Sequence, residues 1–88
     1  MKIKFENNYN GNYIIYDFDF ENHKFKLIED KRNKDITLDL VIFDKNYDEL
    51  INWLKARVGG KSLKETLEIA KNNNLKSVKD DLLVKIIN

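Results

Sequence analysis

Residues 2–20 read KIKFENNYNGNYIIYDFDF, two runs of strand-forming residues on either side of Asn10-Gly11. Asn-Gly between such runs signals a hairpin, because a two-residue type I′ turn needs positive φ at both central positions and these residues tolerate it best. Folding about that turn sets Phe5 opposite Tyr16 and Ile3 opposite Phe18, with Lys4 against Asp17 and Lys2 against Asp19 on the other face. Apolar and charged alternation agree on this register, and a slip of one residue would exchange the faces.

The same pattern continues. KFKLIED, residues 24–30, resumes the alternation after a second tight turn at Asn22-His23, pairing Phe20 with Phe25, Phe18 with Leu27 and Asp19 with Lys26. A polar stretch, Asp30 to Lys34, leads into ITLDLVIF, residues 36–43. That run predicts a fourth strand, with Leu38 facing Leu27, Leu40 facing Phe25 and Asp39 facing Lys26. One row then reads Ile3, Phe18, Leu27, Leu38, and a row on the opposite face reads Lys2, Asp19, Lys26, Asp39, alternating in sign. The expectation is an antiparallel four-stranded meander in the order 1-2-3-4, cored on one face and solvated on the other.

After Phe43 the apolar period lengthens. Asn46 with Glu49 is a capping signal, and Tyr47, Leu50, Ile51, Leu54 and Val58 follow helical spacing up to Gly59-Gly60, so a helix is predicted over residues 47–58. Ser62 with Glu65 opens a second helix carrying Leu63, Leu67 and Ala70 on one face and ending near Asn72–Asn74. Ser77 with Asp80 predicts a third, Val78 to Ile87, although LLVKII also reads as a fifth strand. The fold class is thus α+β, with two or three C-terminal helices packed on one face of the sheet. Eighty-eight residues make one domain, with the meander in 1–43 and the helical half in 46–88.

Cysteine is absent, which excludes disulfides, thiolate nucleophiles and zinc-thiolate sites. The start MKIKFEN lacks the apolar core of a signal peptide, and no run approaches the roughly 18 apolar residues of a membrane helix. A soluble cytoplasmic protein without a membrane partner is expected. The net charge of +1 hides an asymmetry: residues 1–50 carry eight Lys/Arg against eleven Asp/Glu, net −3, and residues 51–88 carry eight against four, net +4.

Chemistry is sparse. Gly59-Gly60-Lys61-Ser62 lacks the earlier glycine and the preceding strand of a phosphate loop, and reads as a helix stop followed by a helix start. His23 lies in a turn with no Ser or Cys nearby to activate, and Ser62 and Ser77 are both caps. Asp17 and Asp19 share a strand face as catalytic carboxylates do, but each has a lysine opposite it. Asp44, Asp48 and Glu49 gather where a helix N-terminus stabilises negative charge, without calcium-loop spacing. No catalytic residue, metal site or cofactor is assigned, and the chain is read as a non-enzyme.

Two binding functions remain. The preferred one is a protein-binding module whose outer sheet face presents Tyr13, Ile15 and Ile28, rimmed by Asp17 and Asp30. Heavy use of Lys, Asn, Ile, Tyr and Phe suggests an A/T-rich genome, and its style is that of a phage or mobile-element accessory protein, such as an anti-CRISPR-like inhibitor of a host or defence protein. The alternative is nucleic-acid binding through the basic helices, using Arg57, Lys61, Lys64, Lys71, Lys76 and Lys79. LEIAKNNNLKSVKDDLLVKII, residues 67–87, resembles the SAP-type helix, extended loop, helix modules that bind DNA, but lacks the glycine such loops carry and has a shorter loop. Strands one and four are expected edges, allowing a monomer or an edge-paired homodimer.

Overall fold

Ile3 and Phe5 have no exposed surface, because the strand that carries them runs through the middle of the sheet. The computed structural model describes residues 1–7, 9–32, 45–73, 76–77 and 82–87. Its elements are β1 (Lys2–Asn7), β2 (Tyr13–Asp19), β3 (Lys24–Lys31), α1 (Tyr47–Val58), α2 (Leu63–Asn73), β4 (Lys76–Ser77) and β5 (Leu82–Ile86). The sheet is antiparallel in the order β3-β2-β1-β5-β4, with the two-residue β4 at its rim.

This order corrects the expected meander. Leu82–Ile86 is a strand, so the predicted third helix over Val78–Ile87 does not form there, and the SAP-type resemblance loses its second helix. Period-two alternation wins in this run: Val84 falls opposite Phe5 and Ile86 opposite Ile3, while Lys85 falls on the other face opposite Lys4. The 46–88 half therefore contributes strands as well as helices. With β2 on one side of β1 and β5 on the other, β1 is no edge, and pairing of two copies through it is excluded. The strand expected over Ile36–Phe43, with Leu38, Asp39 and Leu40, lies outside the described residues.

Both hairpins keep the expected faces but pair two residues away from the expected register. Ile3 meets Tyr16, Phe5 meets Ile14 and Lys2 meets Asp17; Phe18 meets Phe25 and Asp17 meets Lys26. A shift of two preserves the side-chain parity, so the core rows survive with new partners. The cause lies in the loops. Asn10 does not take positive φ, and the first connection is a longer loop in which Gly11 N–H donates to the Asn7 carbonyl (2.8 Å) and Asn7 N–H donates to the Asn12 carbonyl (2.7 Å). The Asn7 side-chain oxygen accepts from Tyr9 N–H at 2.8 Å, and among the described residues of the loop Gly11 alone is left-handed, at φ 79°. The second loop repeats the plan, with Asp19 accepting from Asn22 N–H at 3.3 Å and His23 left-handed at φ 54°. An Asx residue ending one strand and a left-handed residue four positions later define both loops.

The helices follow their caps. Glu49 N–H donates to the Asn46 side chain at 2.9 Å, while the Asn46 amide donates back to the Glu49 carboxylate at 2.6 Å. Gly59, at φ 86°, closes α1 through its N–H to the Lys55 carbonyl. Ser62 accepts from Glu65 N–H at 3.2 Å to open α2. Leu50, Ile51 and Leu54 of α1 enter one core with Ile3, Phe5, Ile14, Tyr16, Phe18 and Val84, and Leu63 and Leu67 of α2 pack against it. Between the helices Gly60 lies so close to Thr66 that a Cβ would meet its backbone nitrogen at 2.7 Å and its Cα at 2.8 Å.

Two glycines test this account in opposite ways. Around Gly11 a Cβ meets nothing, so Gly11→Ala carries only the backbone cost of positive φ, about 1 kcal/mol. Gly60→Ala collides with main chain and should cost more than Gly11→Ala, and adding Thr66→Ala should not rescue it. Urea midpoints of the three variants check the ranking.

Candidate functional site

The helices leave one long strand almost bare. In KFKLIEDK the alternation breaks at Leu27-Ile28, and there the β2–β3 pairing bulges: Tyr16 faces Leu27, Ile15 faces Glu29, and Ile28 is the extra residue. Phe25 reaches the core, its ring 4.8 Å from Tyr16 and 5.6 Å from Phe18. Leu27 and Ile28 do not, and each keeps 41% of its surface exposed. β3 is the outermost strand on its side of the described sheet, away from β5, over which α2 packs. Beside its turn, residues 17–21 and 24–26 line an open concavity of about 660 Å³.

The charges around β3 are unevenly engaged. Lys24 lies opposite Asp19 and Lys26 opposite Asp17, yet among the described residues neither lysine closes an ion pair. Their carboxylate neighbours have other partners. Asp17 accepts from the Met1 amino group at 3.2 Å, and Asp19 accepts from the Asn22 side-chain amide at 2.8 Å. That amide, with the Asn22 backbone N–H, holds the Asp19 carboxyl below the usual carboxylate range. Arg32 binds Asp30 with two parallel bonds, at 2.9 and 2.8 Å. Lys24, Lys26 and Lys31 are all exposed.

The expected cluster of Tyr13, Ile15 and Ile28 is divided. Tyr13 is half-buried, with the Lys4 ammonium 4.2 Å from its ring centre, and Lys4 also pairs with Glu6 at 3.0 Å. Ile15 is only 8% exposed, buried on the outer face between Lys4 of β1 and Glu29 of β3. Ile28 alone stands out. Asp17 is half-buried, and the bulge turns Asp30 to the side of Ile14, away from the face it was expected to rim. Leu27 was expected in the core row; its exposure belongs to the candidate surface that local pattern missed. The signal that was present is the Leu-Ile doublet interrupting a polar-apolar alternation.

The residues of the nucleic-acid alternative do not form one basic stripe. Arg57 is half-buried, its guanidinium 5.3 Å from the Trp53 ring centre, while Lys61 is exposed ahead of α2, and Lys64 and Lys71 are exposed on it beside exposed Glu65 and Glu68. Lys76 falls in β4, and Lys79 lies outside the described residues. His23 stacks on Tyr47 at 5.2 Å with the rings 7° from parallel, clasping the second hairpin to the start of α1. Among the described residues no three His, Cys, Asp or Glu side chains gather to hold a metal, and no helix is long and apolar enough to cross a membrane.

The site thus defines a small α+β chain with an apolar doublet and exposed lysines on its outer strand. No protein-family model matches it, and neither a curated protein nor a solved structure does.

Substitutions separate the buried from the presented isoleucine. Ile15→Ser should cost about 3 kcal/mol, as loss of packed core does, whereas Ile28→Ser should stay within about 1 kcal/mol of the parent in urea unfolding. The acid limb of stability carries a second signature. Because the folded Asp19 pKa is lowered, its contribution is present above the ordinary aspartate value of 3.8 and is lost as pH falls through the folded pKa. Asn22→Ala should move the Asp19 carboxyl titration, followed by NMR, back upward.

Proposed function

We propose that this chain is a non-enzymatic protein-binding module that docks its partner on β3. The observation that carries the reading is the Leu27-Ile28 doublet, two adjacent large apolar side chains each 41% exposed on the outermost long strand. A singly exposed leucine needs no explanation. An adjacent pair between Lys26 and Glu29 has the composition of an interface, apolar anchors inside a polar rim. Tyr13 and Ile15, first assigned to the contact, support the strand from within, and Ile28 keeps its assigned role. An accessory protein or inhibitor acting on a host or defence protein is the setting we infer, supported by small size, absence of cysteine and a Lys/Asn/Ile-rich composition.

The test is capture of a partner from an extract of the encoding organism, with the parent chain compared against Leu27→Ser with Ile28→Ser. Truncation of interface anchors commonly costs about 2 kcal/mol or more, so the double variant should lose about 30-fold in affinity while its thermal midpoint moves by a few degrees at most. A folded double variant that retains the same partner at the same affinity would place the contact elsewhere.

A further inference from the structure

Independently of β3, we infer that Asn10 is this chain's site of spontaneous deamidation and that the hydrogen bonds of the β1–β2 loop set its rate. The first observation is in the sequence: of the asparagines in the chain, Asn10 alone is followed by glycine. Glycine carries no Cβ to hold its backbone nitrogen away from the preceding side chain, so Asn-Gly closes a five-membered imide more readily than Asn before a bulkier residue. The second is access. Tyr9, Asn10 and Gly11 are all exposed, Tyr9 at 89%, so water and hydroxide reach the pair. The reaction needs no other reagent. Hydroxide takes the Gly11 N–H proton, the nitrogen bonds to the Asn10 side-chain carbon Cγ, the Cγ–Nδ2 bond breaks, and Nδ2 leaves as ammonia with a proton from water. A second water opens the imide at either carbonyl, giving aspartate or isoaspartate.

The third observation is that the folded loop commits both reacting groups elsewhere. Gly11 N–H donates to the Asn7 carbonyl at 2.8 Å, and the Asn10 side-chain oxygen accepts from Asn12 N–H at 2.9 Å. Attack needs nitrogen and carbonyl carbon aimed at each other in a near-attack geometry, which these bonds oppose. Asn7 is the hub, since its side-chain oxygen also accepts from Tyr9 N–H at 2.8 Å and its N–H donates to the Asn12 carbonyl at 2.7 Å. The reaction therefore starts from the opened loop, and its rate follows the open fraction. Its product changes the tip. Residues 7–15 hold no charged side chain in a chain that is 35% charged, so the new carboxylate is the first charge there. Isoaspartate also lengthens the main chain by one carbon between Asn10 and Gly11, which draws Gly11 N–H away from Asn7.

The experiment incubates the full chain and a blocked peptide of residues 6–13 at mildly alkaline pH and follows each asparagine by digestion and mass spectrometry, with chromatography separating aspartate from isoaspartate. Asn10 should convert before any other asparagine of the chain, to both products, and about tenfold or more slowly than in the peptide. Asn7→Ala removes the side-chain acceptor and should speed the reaction about fivefold, while Asn7→Asp, which keeps an acceptor, should stay within about twofold of the parent. Val58→Ala, a half-buried position of α1, should also stay within about twofold even where it lowers the thermal midpoint as far as Asn7→Ala does. A measurement on the parent alone covers the case in which Asn7→Ala fails to fold: exchange of the Gly11 amide, read by NMR, should be slowed relative to the peptide by the same factor as deamidation. Earlier conversion of another asparagine would overturn the site. Equal rates in chain and peptide, equal acceleration by Asn7→Ala and Val58→Ala, or a Gly11 amide that exchanges as freely as in the peptide would each overturn control by the loop.

Discussion

The ring of Phe5 holds the two layers of this molecule to each other. It has no exposed surface, and it meets Tyr16 of β2 edge-on at 5.9 Å and Trp53 of α1 at 6.1 Å. Across the sheet it is flanked by Ile14 on one side and Val84 on the other. One side chain therefore touches or faces two neighbouring strands and a helix. Aromatic pairs of this geometry add about 0.5–1.5 kcal/mol beyond the area they bury. Loss of a buried phenylalanine commonly costs about 3–5 kcal/mol, a large part of the 5–15 kcal/mol that holds a domain folded. From Tyr16 the aromatic contacts continue to Phe18, Phe25 and Phe20, so packing runs outward along the sheet until β3, where it stops.

Where packing stops, the bulge decides what is presented. An inserted residue locally disrupts the ladder and bends the strand. Before the bulge, Lys24 and Lys26 share the face of Asp19 and Asp17; beyond it, Asp30 faces the side of Ile14 and pairs with Arg32. Were Ile28 paired in a regular ladder, Asp30 would return to the face of the lysines and Glu29 would leave it for the core side. The bulge thus decides which carboxylate shares the face of the lysines, Glu29 in place of Asp30.

Much of the fold was legible from local chemistry. Both helices start and stop where Asn46, Gly59 and Ser62 indicate, because capping is decided within a turn of chain. The faces of β1 and β2 follow from alternation, since a shift of two does not change parity. The exact register was not legible: Asn10-Gly11 suits a two-residue turn, and the Asx hydrogen bonds from Asn7 that favour the longer loop compete at similar energy. Nor was the role of LLVKI, a short apolar run consistent with either period until β1 supplies a partner nearly the whole chain away. The candidate surface inherits that limit. Whether Ile15 is buried and Leu27 exposed depends on which strands end up central and on a single inserted residue, and no local pattern encodes sheet order.

The central place of β1 also bears on synthesis. Its second neighbour, β5, is translated last of the paired strands, and at about 5–20 residues per second β1 waits on the order of several seconds before that side can close. During that interval a nascent chain offers an open hydrogen-bonding edge to its neighbours on the same message. Lys2 and Lys4, alternating with Ile3 and Phe5, put positive charge at two of the three outward positions of this edge, with Glu6 at the third. Registers that set Lys2 or Lys4 of one such strand against a lysine of another are disfavoured by like charge. In the finished sheet Lys4 still faces Lys85, a like-charge pair that does nothing for the native state and is intelligible as the residue of that protection.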